Sequence, residues 1–191
     1  GSEGGTGAAP PEFSNSVGTP LVEGVVFIDD LLRGAGLRDK VKVICSGKVV
    51  SGFSIVRNLA LGADLCNSAR AMMFALGCVQ ALKCGTNHCP TGVATQDPEL
   101  MKGLVVSNKT LRVQRYQEKT VHAALEIISA AGLVDPSVEL TRSMLMLRTD
   151  GRYSASYAEM FPPCEPGSLL NGTAPGKLQQ VWAKGADMLQ S

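Results

Sequence analysis

Leu21, Val25, Ile28, Leu32 and Ala35 recur at intervals of three and four residues, the spacing of one helix face. Thr19 and Pro20 precede them as an N-cap and a proline at the first helical position, and Gly34 and Gly36 follow as stop signals. Residues 40–45 (KVKVIC) then form a short β-branched run that ends at Ser46-Gly47, which predicts a strand entering a tight loop. Ser51 is placed to cap a second helix, with Ile55, Val56, Leu59 and Ala60 as its apolar stripe and Gly62 as its end. Residues 63–66 predict a second strand, and residues 67–70 lead into a third helix reaching about Leu82. This alternation with short connections is the pattern of parallel βα units, an α/β fold.

Two strands do not bury a parallel sheet, whose faces are both normally covered. A complete barrel of eight such units takes roughly 250 residues. The chain therefore reads as the last portion of a barrel or open sheet, a piece of a longer protein whose earlier strands lie elsewhere. Beyond Pro98 the texture changes. Residues 108–131 predict a long amphipathic helix, with Val113, Val121, Ala124 and Ile128 on one side and Lys109, Arg112, Arg115, Glu118 and Lys119 on an exposed face. Asp135-Pro136 predicts a further helix to about Leu147, followed by a Pro- and Gly-rich stretch and a terminal helix over residues 177–190. Residues 1–131 form the first unit of this organisation, and residues 132–191 are a helical and irregular extension.

Composition narrows the function. The 191 residues carry 18 Lys and Arg against 17 Asp and Glu, so no field for nucleic acid or anionic lipid follows. No apolar stretch approaches the length of a membrane span, and no signal peptide is read at the start; a cytoplasmic protein is expected. Aromatic residues make up only 5%, which suits an aliphatic α/β core. Met72, Met73, Met144 and Met146 are expected to fill gaps in it. His122 reads as a packed or solvated histidine within the long helix, and Cys45 and Cys66 read as small buried residues at strand ends.

Two constellations carry chemistry. Cys78, Cys84 and Cys89 fall in one segment with the spacing C-x5-C-x4-C, and Pro90 follows the last. Clustered thiols in a chain without a secretion signal favour a metal or redox site over disulfides. An iron–sulfur cluster tolerates such wide spacing. A zinc ion held by Cys78, Cys84, His88 and Cys89 is the chemical rival, although zinc knuckles are usually tighter. Three buried, unligated thiols are the bland alternative. The second constellation is a set of three loops where strands hand over to helices: Gly4, Gly5, Thr6 and Gly7; Ser46, Gly47 and Lys48; and Asn67, Ser68, Ala69 and Arg70. Barrel phosphate sites use such loops, whose glycines admit close backbone approach. The three are expected on one face of the sheet, holding a phosphorylated cofactor.

The run EGGTGAAP at 3–10, LGAD at 61–64, ALGC at 75–78 and the block from Cys84 through CPTGVATQ at 89–96 resemble the FMN-binding domain of glutamate synthase. The resemblance is closer still to single-domain FMN-binding glutamate synthase-like proteins, including the Pro-rich tail after Tyr157. It implies the C-terminal part of a (β/α)8 TIM barrel, holding its last two or so βα units, with FMN and a [3Fe–4S] cluster on Cys78, Cys84 and Cys89. It also implies formation of L-glutamate from 2-oxoglutarate and ammonia or glutamine. Electrons would come from ferredoxin or from an NAD(P)H-oxidising subunit. Loops 46–48 and 67–70 match the family's phosphate loops in position, while Lys48 and residues 67–70 depart from its glycine-rich pattern. A related FMN oxidoreductase with another amino donor, and a non-enzymatic zinc module, are the alternative readings. No catalytic residue can be named from this segment.

With most of a barrel core missing, residues 1–191 expressed alone are expected not to yield a flavin-loaded, active enzyme. Flavin content, sharpness of thermal unfolding and glutamate formation, measured beside a longer chain that restores the upstream strands, check this. A stable monomer that binds FMN stoichiometrically and makes glutamate unaided would overturn it.

Overall fold

The structure, a computed structural model, describes residues 11–148 and 151–190. Helix α1 (Pro11–Ser16) precedes α2 (Leu21–Gly34). Pro20, expected as the first helical residue, takes the cap position with an extended backbone, and no side chain caps α2. Two strand–helix units follow: β1 (Ile44–Ser46), α3 (Gly52–Ala60), β2 (Leu65–Asn67) and α4 (Arg70–Leu76). The strands pair in parallel, with Ile44 opposite Leu65, Cys45 opposite Cys66 and Ser46 opposite Asn67. The molecule is thus α/β, as the alternating pattern predicts.

Both strands are shorter than expected. Residues Arg38–Lys40 turn as a 3-10 helix, and the Val43 amide donates to the Asp64 carboxylate at 2.7 Å rather than to a neighbouring strand. The capping of α3 is as read: Ser51 and Ser54 exchange side-chain and backbone bonds in a reciprocal cap. The third helix stops at Leu76, six residues before its expected end. Gly77 adopts a left-handed conformation there, and the amides of Gly77 and Cys78 return to the carbonyls of Phe74 and Met73.

Helix α5 (Pro98–Met101) leads to the long α6 (Val106–Ala130), which packs across α3 and α4. Gly52 permits that packing, since a Cβ there would lie 2.5 Å from the Ala124 amide nitrogen. Ala124 and Ile128 bury against Val56, while Arg112, Arg115, Glu118 and Lys119 are exposed, as expected. His122 is solvated, 3.5 Å from Glu126. After α7 (Pro136–Glu139) the expected helix does not continue to Leu147. Residues Arg142–Met144 form a 3-10 turn, and β3 (Met146–Arg148) pairs antiparallel with β4 (Ser154–Ser156). Met144 at the end of this turn and Met146 on β3 are exposed rather than filling the core. Helices α8 (Tyr157–Met160) and α9 (Gly176–Gln190) complete the chain. Among the described residues no helix is long and apolar enough to cross a membrane.

Helix α2 is the centre of the packing. Leu21, Val25 and Val26 meet Cys45, Val49, Leu61 and Tyr157, so the extension contributes to the first core. Phe27 and Leu31 meet Cys164, Leu169 and Leu178 in a second. The buried face of α2 differs from the predicted stripe: it includes Asp29 and Asp30, while Ile28 is exposed. Ionic pairing explains the difference. Asp29 Oδ1 accepts from Arg38 Nε at 2.6 Å, and its Oδ2 accepts from Arg33 Nε at 2.8 Å and Arg142 Nη2 at 2.9 Å. Asp30 accepts from Arg142 at 2.9 and 3.3 Å and from the Cys164 amide at 3.2 Å. Arg38 continues to Asp64 at 2.9 Å and to the Gly62 carbonyl at 2.8 Å. Gly62 sits against this network with φ +116°, and a Cβ there would lie 2.3 Å from Asp29 Cγ.

Breaking a buried ion pair by removing one partner costs more than the pair contributes, because a desolvated charge is left behind. Arg142→Met is therefore expected to lower the unfolding free energy by about 3–5 kcal/mol, read as a fall in the urea midpoint. Arg142→Lys, which keeps the charge but not the planar fork, is expected to lose less. Burial pushes the Asp64 carboxyl up, but the Val43 amide with Arg38 and Lys42 holds it below its ordinary value. Its contribution is accordingly full above about pH 4 and is lost as pH falls through the folded value.

Candidate cofactor site

Parallel pairing brings two of the predicted loops together. Ser46 and Asn67 are register partners, so loops 46–48 and 67–70 leave the same, C-terminal edge of the sheet side by side. Ser68 Oγ donates to the Val49 carbonyl at 2.6 Å and ties one loop to the other. Lys48 has φ +47°, a left-handed conformation that a non-glycine residue adopts only when its surroundings impose it. Gly47 is buried against Leu21, with room for a Cβ only at 3.3 Å from Leu21 Cδ2. Lys48 is exposed and Arg70 half-buried at this edge. The first turn of α4 has no side-chain cap, whereas Ser51 engages that of α3. Gly4, Gly5, Thr6 and Gly7 lie outside the described residues.

The cysteine segment leaves directly from the end of α4. Cys78 follows Gly77, Cys84 opens a 3-10 turn (Cys84–Thr86), and Cys89 lies on the loop beyond. Gln80, Leu82 and Asn87 all have positive φ, a concentration of costly backbone conformations within this one segment. Side chains hold that path. Asn87 Oδ1 accepts from the Gln96 amide at 2.6 Å and from Thr95 Oγ1 at 3.1 Å, and Thr95 Oγ1 also donates to the Asn87 carbonyl at 2.6 Å. Gly92 closes the far side with φ +74°, where a Cβ would lie 2.4 Å from the Leu100 carbonyl oxygen.

All three thiols are free, Cys89 buried and the other two half-buried. The Gln80 amide donates to Cys78 Sγ at 3.5 Å, and Cys89 Sγ lies 3.5 Å from Thr91 Oγ1. The Thr91 hydroxyl, with the backbone amides of Ala94, Thr91 and Val93, outweighs burial and brings the Cys89 thiol down to about 7. This donor set favours the Cys89 thiolate, the form in which cysteine binds iron or zinc. Among the described residues, however, no three His, Cys, Asp or Glu side chains are gathered closely enough to hold a metal ion. The rival zinc site of Cys78, Cys84, His88 and Cys89 is therefore not assembled, and His88 is exposed. A single zinc needs its ligands within one bond length of a common point. The C-x5-C-x4-C spacing leads one to expect Cys78, Cys84 and Cys89 to converge on one point; in the structure they are not gathered closely enough to hold one ion.

Two loops tied together at one edge of the parallel sheet are thus followed at once by the segment that carries Cys78, Cys84 and Cys89. The chain belongs to the glutamate synthase family, since residues 1–134 match the model of the conserved region in glutamate synthase. It is 46% identical over 136 residues to the glutamate synthase large subunit-like protein YerD of Bacillus subtilis, covering 71% of this chain and 26% of that protein. It is 38% identical over 133 residues to the archaeal glutamate synthase (NADPH) of Methanocaldococcus jannaschii, covering 70% and 26%. The NADPH glutamate synthase large chain of B. subtilis is 40% identical over 102 residues, 53% of this chain and 7% of that one. The chain thus spans about a quarter of the length of the first two relatives.

Apart from the cysteines and glycines, the residues that hold this site are Ser68, Asn87 and Thr95. Ser68→Ala would leave the carbonyl of the buried Val49 without that donor, at a cost of about 1–3 kcal/mol. The expected outcome is a lower urea midpoint with faster hydrogen exchange at residues 48–50; an unchanged exchange rate there would show that the two loops are not tied.

Proposed function

We propose that this chain forms the last two βα units of an FMN-binding (β/α)8 barrel in a cytoplasmic oxidoreductase of the glutamate synthase type. On this reading residues 1–131 carry the cofactor edge and residues 132–191 are an extension. The reaction is reductive formation of L-glutamate from 2-oxoglutarate and ammonia or glutamine nitrogen, with electrons from ferredoxin or an NAD(P)H-oxidising subunit. The single observation that supports it most is the Ser46–Asn67 register, which sets two phosphate-type loops at one strand edge directly before the cysteine segment.

When bound, FMN would supply hydride-transfer chemistry and an iron–sulfur cluster one-electron transfer. The chain's own part is binding and positioning. Backbone amides of Gly47 and Lys48 are the groups to receive a phosphate, with Lys48 and Arg70 adding charge and Asn67, Ser68 and Ala69 forming the adjoining wall. Gly4, Gly5, Thr6 and Gly7 are assigned to the same phosphorylated cofactor on sequence alone. Cys78, Cys84 and Cys89 are the residues to hold a [3Fe–4S] cluster, with Thr91 and the 91–94 backbone stabilising the Cys89 thiolate.

The test uses the full-length protein purified anaerobically. Lys48→Ala and Arg70→Ala are each expected to weaken FMN binding about tenfold, the effect of losing one charge-assisted contact. Cys78→Ser, Cys84→Ser and Cys89→Ser are each expected to lose iron and acid-labile sulfide while FMN is retained. Unchanged FMN affinity in both cation variants, or full iron content in the cysteine variants, would overturn the respective assignment.

A further inference from the structure

Cys45 and Cys66 are not part of the cysteine segment. They sit opposite one another on β1 and β2, and their sulfurs are 3.3 Å apart. Adjacent strands run about 4.8 Å apart, inside the roughly 4.4–6.8 Å over which Cα pairs accept a disulfide. Closing the remaining gap between the sulfurs is a matter of side-chain rotation. Cys45 is buried between the sheet and α2, and Cys66 is half-buried. Beside them, on α3, the fully buried Asn58 has an amide nitrogen, Nδ2, without a hydrogen-bond partner. An orphaned buried donor is costly, and a thiol sulfur is a weak acceptor that becomes a strong one as the thiolate.

We propose that Cys45 and Cys66 are a redox-active dithiol, oxidised by hydrogen peroxide to a cross-strand disulfide and restored by thiol reductants. The shared hydrogen bond holds the Cys45 thiol below its ordinary value and pushes Cys66 up, and Asn58 and the Arg57 charge favour negative charge on the pair. Of the two, Cys45 is the sulfur that ionises more readily, and the reaction starts from its thiolate. Its electron pair attacks one peroxide oxygen, the O–O bond breaks, and hydroxide leaves, giving a sulfenic acid on Cys45. Hydroxide then takes the Cys66 proton as water. The Cys66 sulfur attacks the Cys45 sulfur, the S–O bond breaks, and the departing hydroxide recovers the proton first lost from Cys45. Two thiols and one peroxide thus give one disulfide and two waters, each sulfur losing one electron. Burial selects for so small and neutral an oxidant. The product clamps β1 to β2 one residue before loops 46–48 and 67–70, whichever cofactor those loops hold.

The test treats the full chain with hydrogen peroxide, blocks remaining thiols, and maps tryptic peptides. Cys45 falls in the peptide 43–48 and Cys66 in 58–70, so a bond between them is read apart from the other four cysteines. The expected result is a 43–48/58–70 linked pair, lost on dithiothreitol, forming about tenfold faster than oxidation of buried Cys164, which has a hydroxyl neighbour instead of a thiol. Hydrogen exchange at residues 44–46 and 65–67 should slow in the oxidised chain. In Cys66→Ser, dimedone should trap a sulfenic acid at Cys45. Both cysteines remaining reduced in the unsubstituted chain, or oxidising separately without a linked peptide, would overturn the proposal.

Discussion

Arg142 reaches from the extension into the first half of the molecule and sets its guanidinium between Asp29 and Asp30. Asp29 is 1% exposed, so its charge has no recourse to water and depends on the three arginines around it. The arrangement couples segments far apart in sequence. Arg38 carries the network onward to Asp64 and to the carbonyl of Gly62, while Arg142 also donates to the carbonyl of Phe161 at 3.0 Å. Helix α2, the turn before β1, the approach to β2 and the Pro-rich tail are thereby fixed to one another. An apolar core of small clusters gives bulk attraction without direction; the ion network supplies the orientation.

That orientation bears directly on the cofactor edge. Asp64 stands immediately before β2, and its carboxylate accepts from the Val43 amide just before β1. The network therefore grips the N-terminal ends of both strands, and the loops emerge from the opposite ends. With only two short strands in the sheet, Ile44 and Leu65 are 55% and 57% exposed. On the reading proposed above, side chains of further barrel strands would cover them. The rigidity that a complete sheet would give the loops comes here from Asp64 at one end and the Ser68 bond at the other.

Much of the strand–helix order was legible because it rests on local signals. Ser51 as a cap, Gly62 as a stop and the β-branched run before Cys45 each act within a few residues of themselves. The adjacency of loops 46–48 and 67–70 was legible too, since parallel strands necessarily deliver their following loops to one edge. The ion network was not. Asp29 and Asp30 fall outside the apolar spacing of Leu21 to Ala35, and nothing local marks Arg142, 112 residues from Asp30, as their partner. The ribbon of β3 and β4 was hidden for a related reason: its pairing is a tertiary matter, and Met144 and Met146 carry helix-compatible propensity. In the cysteine segment, spacing suggested a shared centre, but the left-handed residues Gln80 and Leu82 could not be foreseen, since neither residue type prefers that conformation.

The six cysteines show how far environment, rather than residue type, decides chemistry. Cys164 is buried beside the Ser168 hydroxyl at 3.0 Å and packs against Leu169, an arrangement in which a thiol acts as a small apolar group. Cys89 is also buried, yet a turn of backbone amides is aimed at its sulfur, and that favours the thiolate a metal requires. Cys45 has neither a nest of amides nor a hydroxyl; what faces it is a second sulfur, brought there by strand register. A one-residue slip of β1 against β2 would turn one of the two sulfurs to the other face of the sheet and separate the pair. The register that sets Ser46 beside Asn67 is the same register that sets Cys45 beside Cys66. A single alignment of two three-residue strands therefore determines both the loop edge and the dithiol beneath it.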